Sequence, residues 1–246
     1  MENTPFVCMN REERRLAFKE RYESTKKGFE HKIPFIGHSL FNDTPILEPR
    51  EANRKPRVIV TKEDCLEDVF QSVGKKTLLV NSASLKNIGG GVVNGSQAQE
   101  EHICRNSDLF HYLEKCNTKI PWPLHNKVNA IYCEDVQVFD PKSSRSTKVN
   151  IISLFSRPYS IKIDTYEWHK NCFEWMVHWA NLKSIDVIIL VPIGCGVFRH
   201  DPRVVAKALN DVLETRYCCS DIVVSCFNNT ENLKAFTNVN LNPTDS

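Results

Sequence analysis

The sequence predicts an α/β domain whose parallel or mixed central sheet is covered on both faces, and three observations carry that prediction. Short apolar runs alternate with amphipathic segments along much of the chain. The run 186–193 (DVIILVPI) is almost continuously apolar, as a strand buried on both faces must be. The length, 246 residues, suits one large core with an extension, at roughly 150 residues per domain.

Each element follows from local pattern. Residues 10–30 are charge-dense with Leu16, Phe18 and Tyr22 interspersed, which predicts a surface helix with a narrow apolar stripe. The stretch 32–56 carries Pro34, Pro45, Pro49 and Pro56 and predicts an irregular connection wrapped on the core. It divides an N-terminal extension, 1–57, from the main domain, 58–240, which a tail, 241–246, follows. Val58–Val60 reads as a short buried strand. Thr61, with Asp64 three residues on, reads as a capping-box-like start of a helix over 62–73. Thr77–Val80 is a second strand, followed by the Gly-rich segment Asn87–Gly95 and a helix over roughly 97–115. Residues 130–139 and 150–155 are strands, separated by an exposed turn at 141–148. In 164–182, Trp168, Cys172, Trp175, Met176 and Trp179 recur at spacings of three and four, so the segment is a helix with a broad core face and its tryptophans are packing residues. Asp201-Pro202 supplies an N-cap and a proline at the first helical position for a helix over 201–215. A strand at 221–227 and a short helix near 231–237 close the chain.

Charge and cysteine usage narrow the function. Lys plus Arg number 32 against 30 Asp plus Glu, and a net +2 makes no field that would hold nucleic acid or a membrane. An anionic ligand must therefore be gripped locally. No apolar run reaches the roughly 18 residues of a membrane span, and the N-terminal residues show no signal-peptide pattern, so an intracellular protein, cytoplasmic or nuclear, is expected. The ten cysteines form no C-x-x-C pair and are expected as small buried thiols. The histidines fall into no ligand motif, so no metal is expected.

Two loops carry chemistry. The first runs from Asn81 through Ser84 and Gly89-Gly90-Gly91 to Val92, and ends at Gln99-Glu100-Glu101. Three glycines let backbone N–H groups approach a ligand closely, and the helix N-terminus beyond them favours an anion. The acidic pair either complements the helix dipole or performs proton transfer. Successive helical residues diverge by about 100°, so one glutamate should hold position while the other acts. Their repulsion and partial burial should raise the proton affinity of the more enclosed one. The second loop, Gly194-Cys195-Gly196-Val197-Phe198, follows the buried strand, a place where open α/β sheets bind ligands. Phe198 belongs either against a sugar or base, or in the core. Cys195 has no evident base beside it and reads as a space-filling residue.

The ordered set N-S-A-S, G-G-G, Q-E-E and G-C-G-V-F followed by D-P resembles the poly(ADP-ribose) glycohydrolases, most closely the compact microbial members built on a macro domain. The similarity runs from about residue 58 to residue 237 and includes Tyr132–Phe139, Val149–Ser153 and Glu231–Phe236. The resemblance implies a three-layer α/β/α sandwich with a mixed central sheet and an N-terminal helical extension. It implies hydrolysis of the ribose–ribose bonds of poly(ADP-ribose) from the chain end, with Glu101 as the catalytic acid and then base, and no cofactor or metal. By the same resemblance Gly89 to Gly91 and the Val92–Gln99 loop close over the terminal ribose, and Gln99 and Glu100 orient it. Asn81 and Ser84 contact or support that ribose, and Gly194, Cys195, Gly196, Val197 and Phe198 hold the diphosphate. The expected partners are poly(ADP-ribose) or ADP-ribosylated protein and the product ADP-ribose, in ADP-ribosylation and the DNA-damage response. A monomer is expected, without membrane or sequence-specific nucleic-acid binding.

Three positions depart from the microbial pattern: Ile88 where proline usually precedes the glycines, Ile193 where tryptophan often precedes G-C-G, and Arg199-His200 where Gly-Asn is common. Arg199 lies either near phosphate or on a solvated surface. Two other readings stay open: an ADP-ribose reader without turnover, and a hydrolase of another ADP-ribosyl linkage on protein or nucleic acid. An acid at Glu101 favours an enzyme, since reading needs none there.

Overall fold

The computed structural model describes residues 10–29, 56–117, 130–156, 164–237 and 239. Strands β1 (Val58–Thr61), β2 (Thr77–Ser84), β3 (Ala130–Phe139), β4 (Ser146–Ser156), β5 (Val187–Leu190) and β6 (Asp221–Ser225) form one sheet in the order β1-β6-β5-β2-β4-β3. Every neighbouring pair is parallel except β3 and β4, which are antiparallel. The sheet is therefore mixed, as expected.

Helices α1 (Arg11–Phe29), α2 (Cys65–Gln71), α3 (Gln99–Arg105), α4 (Leu109–Asn117), α5 (Thr165–Leu182), α6 (Pro202–Thr215) and α7 (Thr230–Thr237) make the outer layers. Alternation along the strands splits the interior in two. Leu78, Val80, Ile152, Leu154, Ile188 and Leu190 pack with α5 and α6. Leu79, Ile131, Ile151 and Ile189 face α2, α3, α4 and Tyr22 of α1. Trp175 and Trp179 of α5 are buried, and the Trp179 ring stacks on Tyr132 at 4.5 Å, so these tryptophans are packing residues.

Several boundaries differ from expectation, each for a local reason. The second strand runs on to Ser84, so Asn81–Ser84 are strand and not loop. The N-cap of α2 is Asp64, which accepts from the Leu66 N–H. Thr61 instead ends β1 and donates its hydroxyl to Asp68. The helix expected over 97–115 is two helices, α3 and α4. At the break the Asn106 amide donates to the His102 carbonyl, the Ser107 hydroxyl donates to the Ile103 carbonyl, and Ser107 forms a bridge to Val138 of β3. Short polar side chains that bond nearby backbone end a helix this way. The fourth strand starts at Ser146, earlier than 150, and the fifth stops at Leu190. The proline-rich connection 32–56 lies outside the described residues. Of the N-terminal extension, α1 is described; it packs on α3 and on a 3-10 turn, Val92–Asn94. No helix among the described residues is long and apolar enough to cross a membrane.

The strand order decides where a ligand can sit. Because β2, β5 and β6 are parallel, the loops after their carboxyl ends emerge at one edge of the sheet.

Asp108, between α3 and α4, is buried, and burial raises its carboxyl to about 7 although Oδ1 accepts from the Gln137 N–H. The unfolded chain releases that proton near pH ~4. Folding therefore takes up a proton between those values, and the contribution of Asp108 turns against the fold as pH rises from about 4 to 7. Asp108→Asn should remove this slope, so that thermal melts show the variant gaining on wild type as pH rises across the window. A pH-independent difference would overturn the assignment.

Candidate active site

The site begins where β5 leaves β2. Pairing between these strands covers only Thr77–Leu79, so beyond Leu79 one edge of β2 has no strand beside it. Side chains of α3 fill that edge. Gln99 Oε1 accepts from the Ser82 N–H (2.8 Å), Gln99 Nε2 donates to the Val80 carbonyl (2.9 Å), and Glu100 Oε2 accepts from the Ser84 N–H (2.8 Å). Residues 80, 82 and 84 alternate onto the same side of the strand, which is why two successive helical residues can satisfy all three groups. The first turn of α3 is thereby stitched to the sheet.

Glu101, the next residue, is directed elsewhere. Its Oε1 accepts from the Gly91 N–H at 2.8 Å, while Oε2 is buried and meets no hydrogen-bond partner among the described residues. Gly90 has φ of +62°, and a Cβ there would sit 2.5 Å from Glu101 Oε1 and 3.0 Å from Glu100 Oε2. Only a glycine lets both carboxyls close in at this point. Burial pushes the Glu100 carboxyl well above the usual range, and the neighbouring Glu101 pushes it the same way, against the opposing Ser84 N–H. Glu100 is the more enclosed of the two, so the raised proton affinity expected from the sequence falls on the residue that holds position.

Glu101 lines a cleft of about 880 Å³ that continues to Gly194, Gly196, Val197 and Phe198 after β5 and to Phe227 and Asn229 after β6. The β5 loop is braced from below. Gly194 has φ of +77°, and the His200 ring occupies the space a Cβ would need, 2.4 Å from Nδ1. His200 Nδ1 lies 3.3 Å from His169 Nε2, and His169 sits between the Ile193 carbonyl (3.0 Å) and the Thr165 carbonyl (2.7 Å). Burial lowers the proton affinity of His169, against the two carbonyls, which raise it.

The family model described as microbial-type PARG, catalytic domain, matches residues 6–143, more than half of the chain. The chain belongs to the microbial-type PARG family. The fold agrees with solved structures of poly(ADP-ribose) glycohydrolase (PARG). The Thermomonospora curvata enzyme bound to the inhibitor ADP-HPD is 20% identical, with a TM-score of 0.68 over 92% of this chain and 99% of that one. The T267K mutant from Deinococcus radiodurans in complex with ADP-ribose is 24% identical, with a TM-score of 0.63 over 74% of this chain and 83% of that one. No curated protein matches the chain.

Against this PARG framework the sequence-derived residues separate into two groups. Ser84, Gly90, Gly91, Gln99, Glu100, Glu101, Gly194, Gly196, Val197 and Phe198 all line the cleft. Gln99, however, spends its amide on β2 and so orients the helix. Asn81 is fully buried beside Glu100 and donates to the Ser153 hydroxyl; it supports the site from the core and touches no ligand space. Val92 is a core residue, and Gly89 is buried against Phe110, so neither closes over the cleft. Cys195 lines a separate cavity beside α6, and burial raises its thiol to about 12, which makes it an inert thiol. Arg199 is exposed and lines that same second cavity, outside the cleft. Ile193 is a core residue and Ile88 packs against the core.

Sequence reasoning missed Asp64, Phe18 and Phe227. The Asp64 cap also faces His102 at 3.1 Å. Phe227 is 71% exposed at φ of +46° and lines the cleft. Its Phe-Asn-Asn run marks a turn, but only the strand order brings that turn to the cleft.

Gly90→Val adds side-chain atoms where the two carboxyls converge and forces a strained φ. We expect the variant to lose ADP-ribose binding in calorimetry while its melting temperature stays within a few degrees of wild type; unchanged affinity would sink this placement.

Proposed function

We propose that the chain hydrolyses the ribose–ribose O-glycosidic bonds of poly(ADP-ribose) from the chain end, releasing ADP-ribose, with Glu101 as the acid and base. One observation carries the assignment of Glu101. Its carboxyl has one oxygen anchored on the Gly91 N–H and the other uncommitted, in a residue that lines the cleft. Glu100, by contrast, is engaged with β2 and is held toward its neutral form, so it adds no second negative charge beside the reacting carbon.

The terminal unit lies along the cleft. Its ribose meets Gly90, Gly91 and Glu101. Its diphosphate meets the β5 loop at Gly194 and at the exposed Gly196, where the lack of a side chain lets a ligand approach the backbone, and the exposed Phe227 ring offers a face for the base. Glu101 donates its proton to the oxygen that links the two riboses as the bond from that oxygen to the terminal anomeric carbon breaks. The resulting oxocarbenium-like carbon is positive, and the Glu101 carboxylate and the substrate's own diphosphate stabilise it. Water then attacks that carbon and yields its proton to Glu101, which restores the acid. The scheme uses one carboxyl for both proton transfers, unlike the usual pair. The largely buried thiols of the described cysteines support an intracellular setting.

Purified wild type, incubated with automodified poly(ADP-ribose) acceptor, should release ADP-ribose detected by mass. Glu101→Gln should lower that rate at least about a thousandfold while ADP-ribose affinity stays within about tenfold, because the amide keeps the shape and cannot deliver a proton. Equal losses of rate and binding would refute the role of Glu101. Binding of ADP-ribose without any release by wild type would point to a reader, or to another ADP-ribosyl linkage.

The raised proton affinity of Glu100 has its own signature. Because folding favours its protonated form, its contribution to stability declines as pH rises above its ordinary range, near ~4.3. Glu100→Gln should therefore melt higher than wild type at pH 7, with the gain shrinking toward pH 4; a gain that grows on acidification would contradict the direction of the shift.

A further inference from the structure

The cleft has a second wall that the terminal ADP-ribose unit leaves unused. Phe18 of α1 and Arg105 of α3 both line it, together with Ser96 and Gln97. Arg105 lies four residues past Glu101 on α3, about 6 Å along the helix axis at 1.5 Å per residue. The guanidinium carbon sits 4.3 Å from the Phe18 ring centre, and Arg105 Nη1 donates to the Ser96 carbonyl at 2.5 Å. Burial lowers the Arg105 pKa to about 10, which leaves it a cation at neutral pH. One ring face is thus backed by a fixed charge, and Phe18, half-buried, lines the cleft.

α1 holds this ring in register with the acid. Thr25 donates its hydroxyl to the Arg105 carbonyl at 2.7 Å, and Arg15 Nε donates to the Asn94 carbonyl at 3.3 Å. A Cβ on Gly95 would come within 2.3 Å of the Arg15 carbonyl, so helix and loop are pressed together there. Tyr22 meets Phe110 edge-on at 5.1 Å. Phe18 lies between these anchors.

In poly(ADP-ribose) the departing oxygen belongs to the ribose of the neighbouring adenosine, on the carbon next to the one that bears the base. Once Glu101 is placed on that oxygen, the base lies within one sugar's width of it. We propose that Phe18 is a stacking platform for this purine on the leaving side of the scissile bond, a subsite for the penultimate unit of the polymer. The inference rests on the glycohydrolase reading above, since it takes Glu101 as the group facing the departing oxygen. Stacking of a base on an aromatic side chain accounts for affinity without reading sequence, which suits a polymer of one repeating unit.

The test uses full-length protein carrying Glu101→Gln, so that substrate persists, with and without Phe18→Leu or Phe18→Ala. Calorimetry then compares a short poly(ADP-ribose) oligomer with ADP-ribose alone. Both Phe18 variants should weaken oligomer binding roughly tenfold and leave ADP-ribose binding within about twofold; Phe18→Trp should restore the oligomer affinity. Leucine keeps the apolar packing of α1, so a loss in that variant reports on the aromatic face. Unchanged oligomer affinity, or an equal loss for both ligands, would overturn the proposal. Failure of the glycohydrolase reading shows separately, as no release of ADP-ribose by wild type.

Discussion

The site depends on an unpaired strand edge. β5 accompanies β2 only as far as Leu79, and α3 supplies partners to the backbone groups of Val80, Ser82 and Ser84 beyond it. Buried backbone groups left unpaired cost about 1–3 kcal/mol each, so the first turn of α3 is held to the sheet by a strong and directional requirement. That attachment sets the rotation of the helix. With Gln99 and Glu100 committed to the strand, Glu101 is turned to the glycine loop, and the Gly91 N–H fixes one of its oxygens. The acidic pair is thus divided between the strand and the glycine loop by which backbone groups lie beside each residue.

Electrostatics follow from the same arrangement. Two carboxylates meeting at Gly90 would repel, and the enclosure of Glu100 resolves the conflict by favouring its neutral form. On the far side of the cleft the support comes from buried rings. Buried His169 and His200 support the β5 loop through the Ile193 carbonyl and the underside of Gly194. His200 stands where the microbial pattern commonly has asparagine, and here its ring fills the space that Gly194 leaves open.

The amino-terminal helix is part of this construction. α1 reaches the 3-10 turn through Arg15, α3 through Thr25 and α4 through Tyr22, and the family match begins at residue 6, ahead of it. In the sequence the same segment looks like a solvated surface helix, because its apolar stripe is narrow and its charges are many. Contact with Arg105 and a place on the cleft wall distinguish Phe18 from an ordinary stripe residue.

Local signals determined a great deal: the mixed α/β class, the cap at Asp201, the buried β5, and the pairing of a glycine loop with Glu100 and Glu101. These are short-range properties, set by periodicity, capping chemistry and glycine's conformational range. The tertiary structure decided the rest. It placed Asn81, Gly89 and Val92 behind the site, moved Cys195 and Arg199 to a neighbouring cavity, brought Phe227 and Phe18 to the cleft, and broke one long helix at Asn106–Asp108. Each of these depends on which strand lies beside which, and on where their pairing stops. Strand order is fixed by contacts between residues far apart in the chain, and no local pattern records it.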